Sequence, residues 1–159
     1  MSTRLTRGGI PMVESQSLQL TLATAKVYEN ISLYLSKSLK EKGYQFASPS
    51  ILNFLSTLEC GVNYGSEIAR TLGVSRQMVA KNVKELCSIG YLEQRAGIGK
   101  QKEIVFTETG ELLMSEARKL LADVDKILTK EMGSTQLKSM ITHLNSVQKV
   151  MTELNDKVK

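Results

Sequence analysis

One run of the chain, SEIARTLGVSRQMVAKNVKELCSIGYLEQR over residues 66–95, constrains the fold more than any other. Ala69 is followed at a step of four by Gly73, and Gly73 at a step of six by Val79. Those steps suit two short helices that meet at a sharp angle across a turn of about three or four residues. Alanine lets the helices approach where they cross, and glycine takes the turn conformation that side chains resist. Ile68, Leu72, Val74, Val79 and Val83 supply the apolar inner faces. Ser75 is placed to cap the second helix and Gly90 to end it. Together these features predict a helix-turn-helix.

The flanking pattern extends the unit. From about Glu14 to Lys42, Leu20, Val27, Ile31, Tyr34, Leu35 and Leu39 recur at helical steps, and Gly43 follows as a C-terminal cap. Ser48 and Pro49 read as an N-cap and a first helical residue. The helix they open carries Ile51, Leu52, Leu55 and Leu58 and stops at Gly61. A turn, Gly61–Tyr64, precedes the helix-turn-helix. After Gly90 the pattern favours strands, over 91–95 and 103–107, joined by the glycine-bearing tip AGIGKQK. Two long helices, 108–132 and 134–156, follow on either side of Gly133. The expected fold is mainly α (α+β): a winged helix-turn-helix with a two-stranded wing and long N- and C-terminal helices. Residues 48–107 form the winged helix-turn-helix domain, 14–47 and 108–159 a helical dimerisation region, and 1–13 a flexible tail.

Charge singles out one face. The net charge is +5, and between Arg76 and Lys102 six basic residues (Arg76, Lys81, Lys84, Arg95, Lys100, Lys102) stand against Glu85 and Glu93. A concentrated positive segment is what a phosphate-facing surface needs. On a helical wheel Val79, Val83 and Leu86 point inward, while Gln77, Lys81, Lys84 and Ser88 lie opposite with Arg76 and Ala80 on the flank. Arginine and glutamine can pair with guanine and adenine edges in the major groove, and lysine reaches bases and phosphates. Ser75, Arg76 and Gln77 sit at the positive end of the helix. Aromatic residues make up only 5% with no Trp, which argues against a stacking surface for single strands.

In the last helix Leu137, Met140, Leu144, Val147, Met151, Leu154 and Val158 follow alternating steps of three and four. A seam with a mean period near 3.5 signals helix pairing. A winged helix of about 60 residues does not need three further amphipathic helices to close its core, so a second copy is the expected cover. A homodimer would present two recognition helices about 34 Å apart and read a roughly palindromic operator.

From about Ser48 to Gly110 the sequence resembles the MarR family of transcriptional regulators, on GSEIARTLGVSRQMVAKNVKELCSIGYLEQR and on the strand-to-helix junction FTETGELL. The resemblance implies an obligate dimer built by the first and last helices. It implies a sequence-specific regulator of transcription bound to double-stranded DNA, a repressor released by a small-molecule effector seated between the winged helix and the dimer helices. By it Arg76, Gln77, Met78, Lys81 and Lys84 match recognition-helix positions that face the major groove. The wing departs from the pattern: the family's tip carries an Asp–Arg pair, and AGIGKQK has neither. Lys100 and Lys102 are the cations it offers instead, without arginine's planar fork.

Other chemistry finds little support. His143 is the sole histidine and Cys60 and Cys87 the two cysteines, too few and too scattered for a zinc site or a catalytic triad. No metal or cofactor is expected, and His143 reads as an interface residue beside the apolar seam. Cys60 and Cys87 read as small, partly buried residues, with a thiol-based redox-responsive regulator as an alternative. A winged helix used for protein–protein contact is another, though such modules usually lack a basic recognition face. No apolar run reaches the roughly 18 residues of a membrane span. No secretory leader follows the basic N-terminus, and a reducing cytoplasm is expected.

Overall fold

The computed structural model describes residues 14–159, and the expected tail, 1–13, lies outside the described residues. The order is α1 (Gln16–Glu41), α2 (Pro49–Glu59), α3 (Gly65–Leu72), α4 (Arg76–Ile89), β1 (Leu92–Ala96), β2 (Lys102–Phe106), α5 (Glu108–Met132) and α6 (Ser134–Asp156). This is the winged helix-turn-helix expected from the sequence, with long helices before and after it.

Serine caps set three of the helix starts. The hydroxyl oxygens of Ser15, Ser48 and Ser75 accept from the N–H groups of Leu18, Ile51 and Met78 at 3.3, 3.4 and 3.1 Å. Each such cap stabilises its helix by about 1 kcal/mol over alanine. Gly73 ends α3 in the left-handed region at φ 66°, and Val74 donates its N–H back to the Ala69 carbonyl at 3.0 Å. That bond holds Val74 in the connecting turn, where its side chain stays 39% exposed. The expectation that Val74 joins the core is therefore corrected: the turn geometry overrides its hydrophobicity.

The core of the winged helix gathers one face from each element. The deepest side chains are Leu39 of α1, Phe54 and Leu55 of α2, Ile68 of α3, Leu86 of α4, Leu92 of β1, Ile104 of β2 and Leu113 of α5. Burying each stabilises the fold by about 1.5–3 kcal/mol before entropy is counted. The strands pair antiparallel with Leu92 opposite Phe106, Gln94 opposite Ile104 and Ala96 opposite Lys102. β1 opens at Leu92 rather than Tyr91. Tyr91 is drawn into the core instead, where its hydroxyl donates to the Gln45 carbonyl at 2.9 Å.

The loop before α3 does more than turn. Ile104 donates its N–H to the Asn63 carbonyl at 2.8 Å, and Asn63 Nδ2 donates to the Ile104 carbonyl at 3.1 Å. One asparagine thus brackets the outer edge of β2 and satisfies both backbone groups of a buried residue.

The chain divides into two compact units, Met1–Ala117 and Arg118–Lys159. The division falls inside α5, not at its first residue as the sequence suggested, because Gly110, Leu113, Met114 and Ala117 are buried and complete the first unit's core. In the second unit α6 has no buried residue along its 23 positions.

The start of α5 is seated by close approach. Thr107 donates its hydroxyl to the Gly90 carbonyl and accepts from the Gly110 N–H at 3.1 Å. A Cβ on Gly110 would stand 2.1 Å from the Tyr91 carbonyl oxygen, a backbone atom that cannot swing aside. Gly110→Ala is expected to lower the free energy of unfolding by about 3 kcal/mol, the upper range for overpacking. Urea denaturation followed by circular dichroism measures it, and an unchanged midpoint would mean that α5 does not depend on this contact.

Candidate nucleic-acid interface

The second helix of the helix-turn-helix, α4, is anchored by Val79, Val83 and Leu86, all buried. That anchoring leaves Arg76, Gln77, Met78, Ala80, Lys81 and Lys84 exposed on the surface. Ser75 spends its side chain on the N-cap, so the helix starts firmly beneath Arg76 and Gln77. The helix dipole adds positive potential at that end.

A groove of about 620 Å³ runs between α4 and the wing. Arg76, Ala80 and Lys84 form its helix rim, Lys100, Gln101 and Lys102 its wing rim, and Val79, Val83 and Ile104 part of its wall. The strand register explains the wing side. Gln94 and Ile104 are opposite each other, as are Ala96 and Lys102, and Gln94, Ile104 and Lys102 all line the groove. Glu93, Arg95 and Glu103 alternate onto the other face. The hairpin thus sorts two acidic side chains away from the groove and keeps its lysines on it.

Among the candidate residues, Arg76, Lys84, Lys100 and Lys102 come together on the two rims. Gln77, Met78 and Lys81 lie outside the groove, on neighbouring exposed positions of α4. Arg95 does not join them. Its guanidinium holds Glu93, with Nε 2.9 Å from Oε1, on the opposite face of the hairpin. Its inclusion among the DNA-binding candidates was an expectation from charge, and strand alternation puts it on the face of the hairpin away from the groove.

Cys87 lacks the setting of a low-pKa sensor. Cys87 lies in the wall of the groove, and burial, followed by the nearby Glu93 carboxylate, pushes its thiol above the usual range. Cys60 is exposed, not partly buried as expected, because it sits just past the end of α2. On α6, Leu137 and Leu144 are half-buried, while Met140, Val147, Met151 and Leu154 are exposed. Ile141 and Val150, which the heptad reading passed over, are exposed as well and widen the apolar face. His143 is exposed on the same helix, with Nδ1 3.5 Å from the Ser139 hydroxyl. Among the described residues no group of three or more metal-binding side chains converges. No helix among them is long and apolar enough to cross a membrane.

Sequence reasoning missed the residues that hold the wing. Asn63 brackets β2, and the Tyr64 hydroxyl accepts from the Ile98 N–H at 3.3 Å. A polar–aromatic pair inside a predicted turn was the only signal, and it is a weak one.

No sequence profile of a known family matches the chain, and no curated protein sequence does. Solved structures do match. A MarR transcriptional regulator from Methanosarcina mazei Go1 superposes with a TM-score of 0.70 at 17% identity, covering 91% of this chain and 100% of that one. The transcriptional repressor CouR, bound to a 23-mer DNA duplex, matches with a TM-score of 0.68 at 20% identity over 91% of this chain and 98% of its own. FabT of Streptococcus pneumoniae, in complex with DNA, gives 0.70 at 14% identity over 87% and 99%. The chain has the winged-helix fold of the MarR transcriptional regulators.

Proposed function

We propose that the chain is a sequence-specific regulator of transcription, not an enzyme, which binds double-stranded DNA as a homodimer in the cytoplasm. The observation that carries this reading is the groove between α4 and the wing, with cations on both rims and the acidic residues of the hairpin turned away. Such a groove is shaped and charged for one sugar–phosphate strand, with α4 entering the major groove beside it. Arg76, Lys84, Lys100 and Lys102 bind phosphates in this reading, and Gln77, Met78 and Lys81 face base edges. Two structural neighbours are themselves DNA complexes, which supports the same assignment.

The proposed dimer covers apolar faces that the single chain leaves open. Leu20, Val27, Tyr28 and Tyr34 of α1 are exposed, as are Met140, Val147, Met151 and Leu154 of α6. Two copies would read a roughly palindromic operator. Action as a repressor released by a small-molecule effector rests on likeness to the MarR regulators. The redox alternative is disfavoured at Cys87, where burial and the Glu93 carboxylate work against the reactive thiolate.

Three experiments test these assignments. Operator affinity is expected to fall steeply with salt, each neutralised phosphate adding about 0.9 to the log–log slope. Lys84→Ala is expected to weaken binding to all duplexes and flatten the slope by about that amount, measured by fluorescence anisotropy; an unchanged slope removes Lys84 from the contacts. Gln77→Ala is expected to weaken the operator complex while sparing random DNA, since a bidentate amide–adenine pair discriminates by about 1–3 kcal/mol. Selection from a random library checks this, and an unaltered consensus would exclude Gln77 from base reading. Leu144→Asp buries a carboxylate in the proposed seam at a cost of several kcal/mol. Light scattering should then report monomer or aggregate, and a well-folded dimer would move the interface elsewhere.

A further inference from the structure

The outer edge of β2 is gripped at mid-strand by one residue of a loop. Ile104 stands opposite Gln94 in the ladder but turns both main-chain groups away from β1, to Asn63. Its N–H donates to the Asn63 carbonyl at 2.8 Å, and its carbonyl accepts from Asn63 Nδ2 at 3.1 Å. Ile104 is 2% exposed, so these groups need a partner within the protein. The asparagine offers its main-chain carbonyl and its side-chain amide where a neighbouring strand would offer C=O and N–H. Asn63 is itself fixed on both sides. Val62 donates its N–H to the Thr57 carbonyl of α2 at 3.2 Å, and the Tyr64 carbonyl accepts from the Ile68 N–H of α3 at 3.0 Å. The grip therefore ties the hairpin to the helix-turn-helix.

We propose that Asn63 is a positioning residue for DNA binding, which through Ile104 holds the wing lysines at a set distance from the helix rim. The inference rests on the DNA-binding reading above, in which Asn63 itself touches no DNA. Lys102 lies two residues before Ile104 on the same face of β2, and Lys100 just before it at the tip. Both line the groove across from Arg76 and Lys84. Cations facing each other across a groove repel, and salt screens that repulsion only beyond about 8 Å at 0.15 M. A two-stranded hairpin is marginal by itself, so its stance needs an outside hold. With the amide gone, the Ile104 carbonyl regains a partner only by reaching water. That draws β2 off the loop, in the direction the repulsion already favours, and takes the lysines away from a phosphate held at the helix rim.

The test uses the full chain and a fluorescein-labelled duplex selected by the wild type from a random library, with anisotropy read across a salt series. Asn63→Ala is expected to weaken binding by about tenfold at 0.15 M salt and to flatten the log–log slope by about 0.9 to 1.8, as one or both wing lysines lose their phosphates. Asn63→Asp keeps the size and removes the donor, so it should flatten the slope likewise. In a Lys100→Ala/Lys102→Ala background, Asn63→Ala should have little further effect, the non-additivity of residues acting through one another. In a Lys84→Ala background, on the other rim, its loss should persist in full. Light scattering should show the same dimer throughout. An unchanged slope for both variants, or an Asn63→Ala loss that persists without the wing lysines, would overturn the proposal. A variant that no longer melts cooperatively by circular dichroism would overturn it too, since Asn63 would then hold up the fold and not the wing. A wild type that selects no duplex over random DNA would instead overturn the DNA-binding reading on which it stands.

Discussion

Thr107 joins the elements that the rest of the structure depends on. Its hydroxyl donates to the Gly90 carbonyl at the end of α4 and accepts from the Gly110 N–H in the first turn of α5. Its own N–H donates to the Tyr91 carbonyl at 3.0 Å, and the Tyr91 hydroxyl donates to Gln45 in the loop between α1 and α2. A satisfied hydrogen bond contributes only about 0.5–1.5 kcal/mol, but a buried partner left alone costs about 1–3 kcal/mol. A knot of this kind is therefore worth most for the arrangements it forbids. It sets the angle at which the hairpin leaves α4, and so where the wing lysines stand.

The positive groove is a consequence of that frame. Arg76 and Lys84 on one rim and Lys100 and Lys102 on the other are brought together by packing, against their mutual repulsion. Their side chains are flexible, but Val79, Val83 and Leu86 fix the helix beneath one pair. Asn63 and Tyr64 fix the hairpin beneath the other. A polyanion in the groove would relieve the repulsion, and the gain would shrink as salt shortens the screening length below about 10 Å.

The long helices pose a different physical problem. A solitary helix is marginal in water without tertiary packing of its apolar face. α6 has no buried residue, although its apolar positions run from Leu137 to Leu154. The proposed dimer would supply the missing cover.

The sequence alone determined the elements and their order. Serine caps, glycine stops and apolar spacing are local signals, and Ser48, Ser75 and Gly73 act as their spacing predicts. It also determined which face of α4 is polar, because helical periodicity fixes Lys81 and Lys84 opposite the buried valines. What depended on long-range placement was decided only by the tertiary structure. Arg95 and Lys102 carry the same charge in the same hairpin, yet only the pairing register puts one off the groove and the other on it. Val74 is apolar but stays in the turn, Asn63 finds its partner 41 residues away, and the start of α5 joins the winged-helix core through Gly110. Propensity and period act over a few residues, whereas the face a strand turns to its neighbour is settled by contacts between segments far apart in the chain.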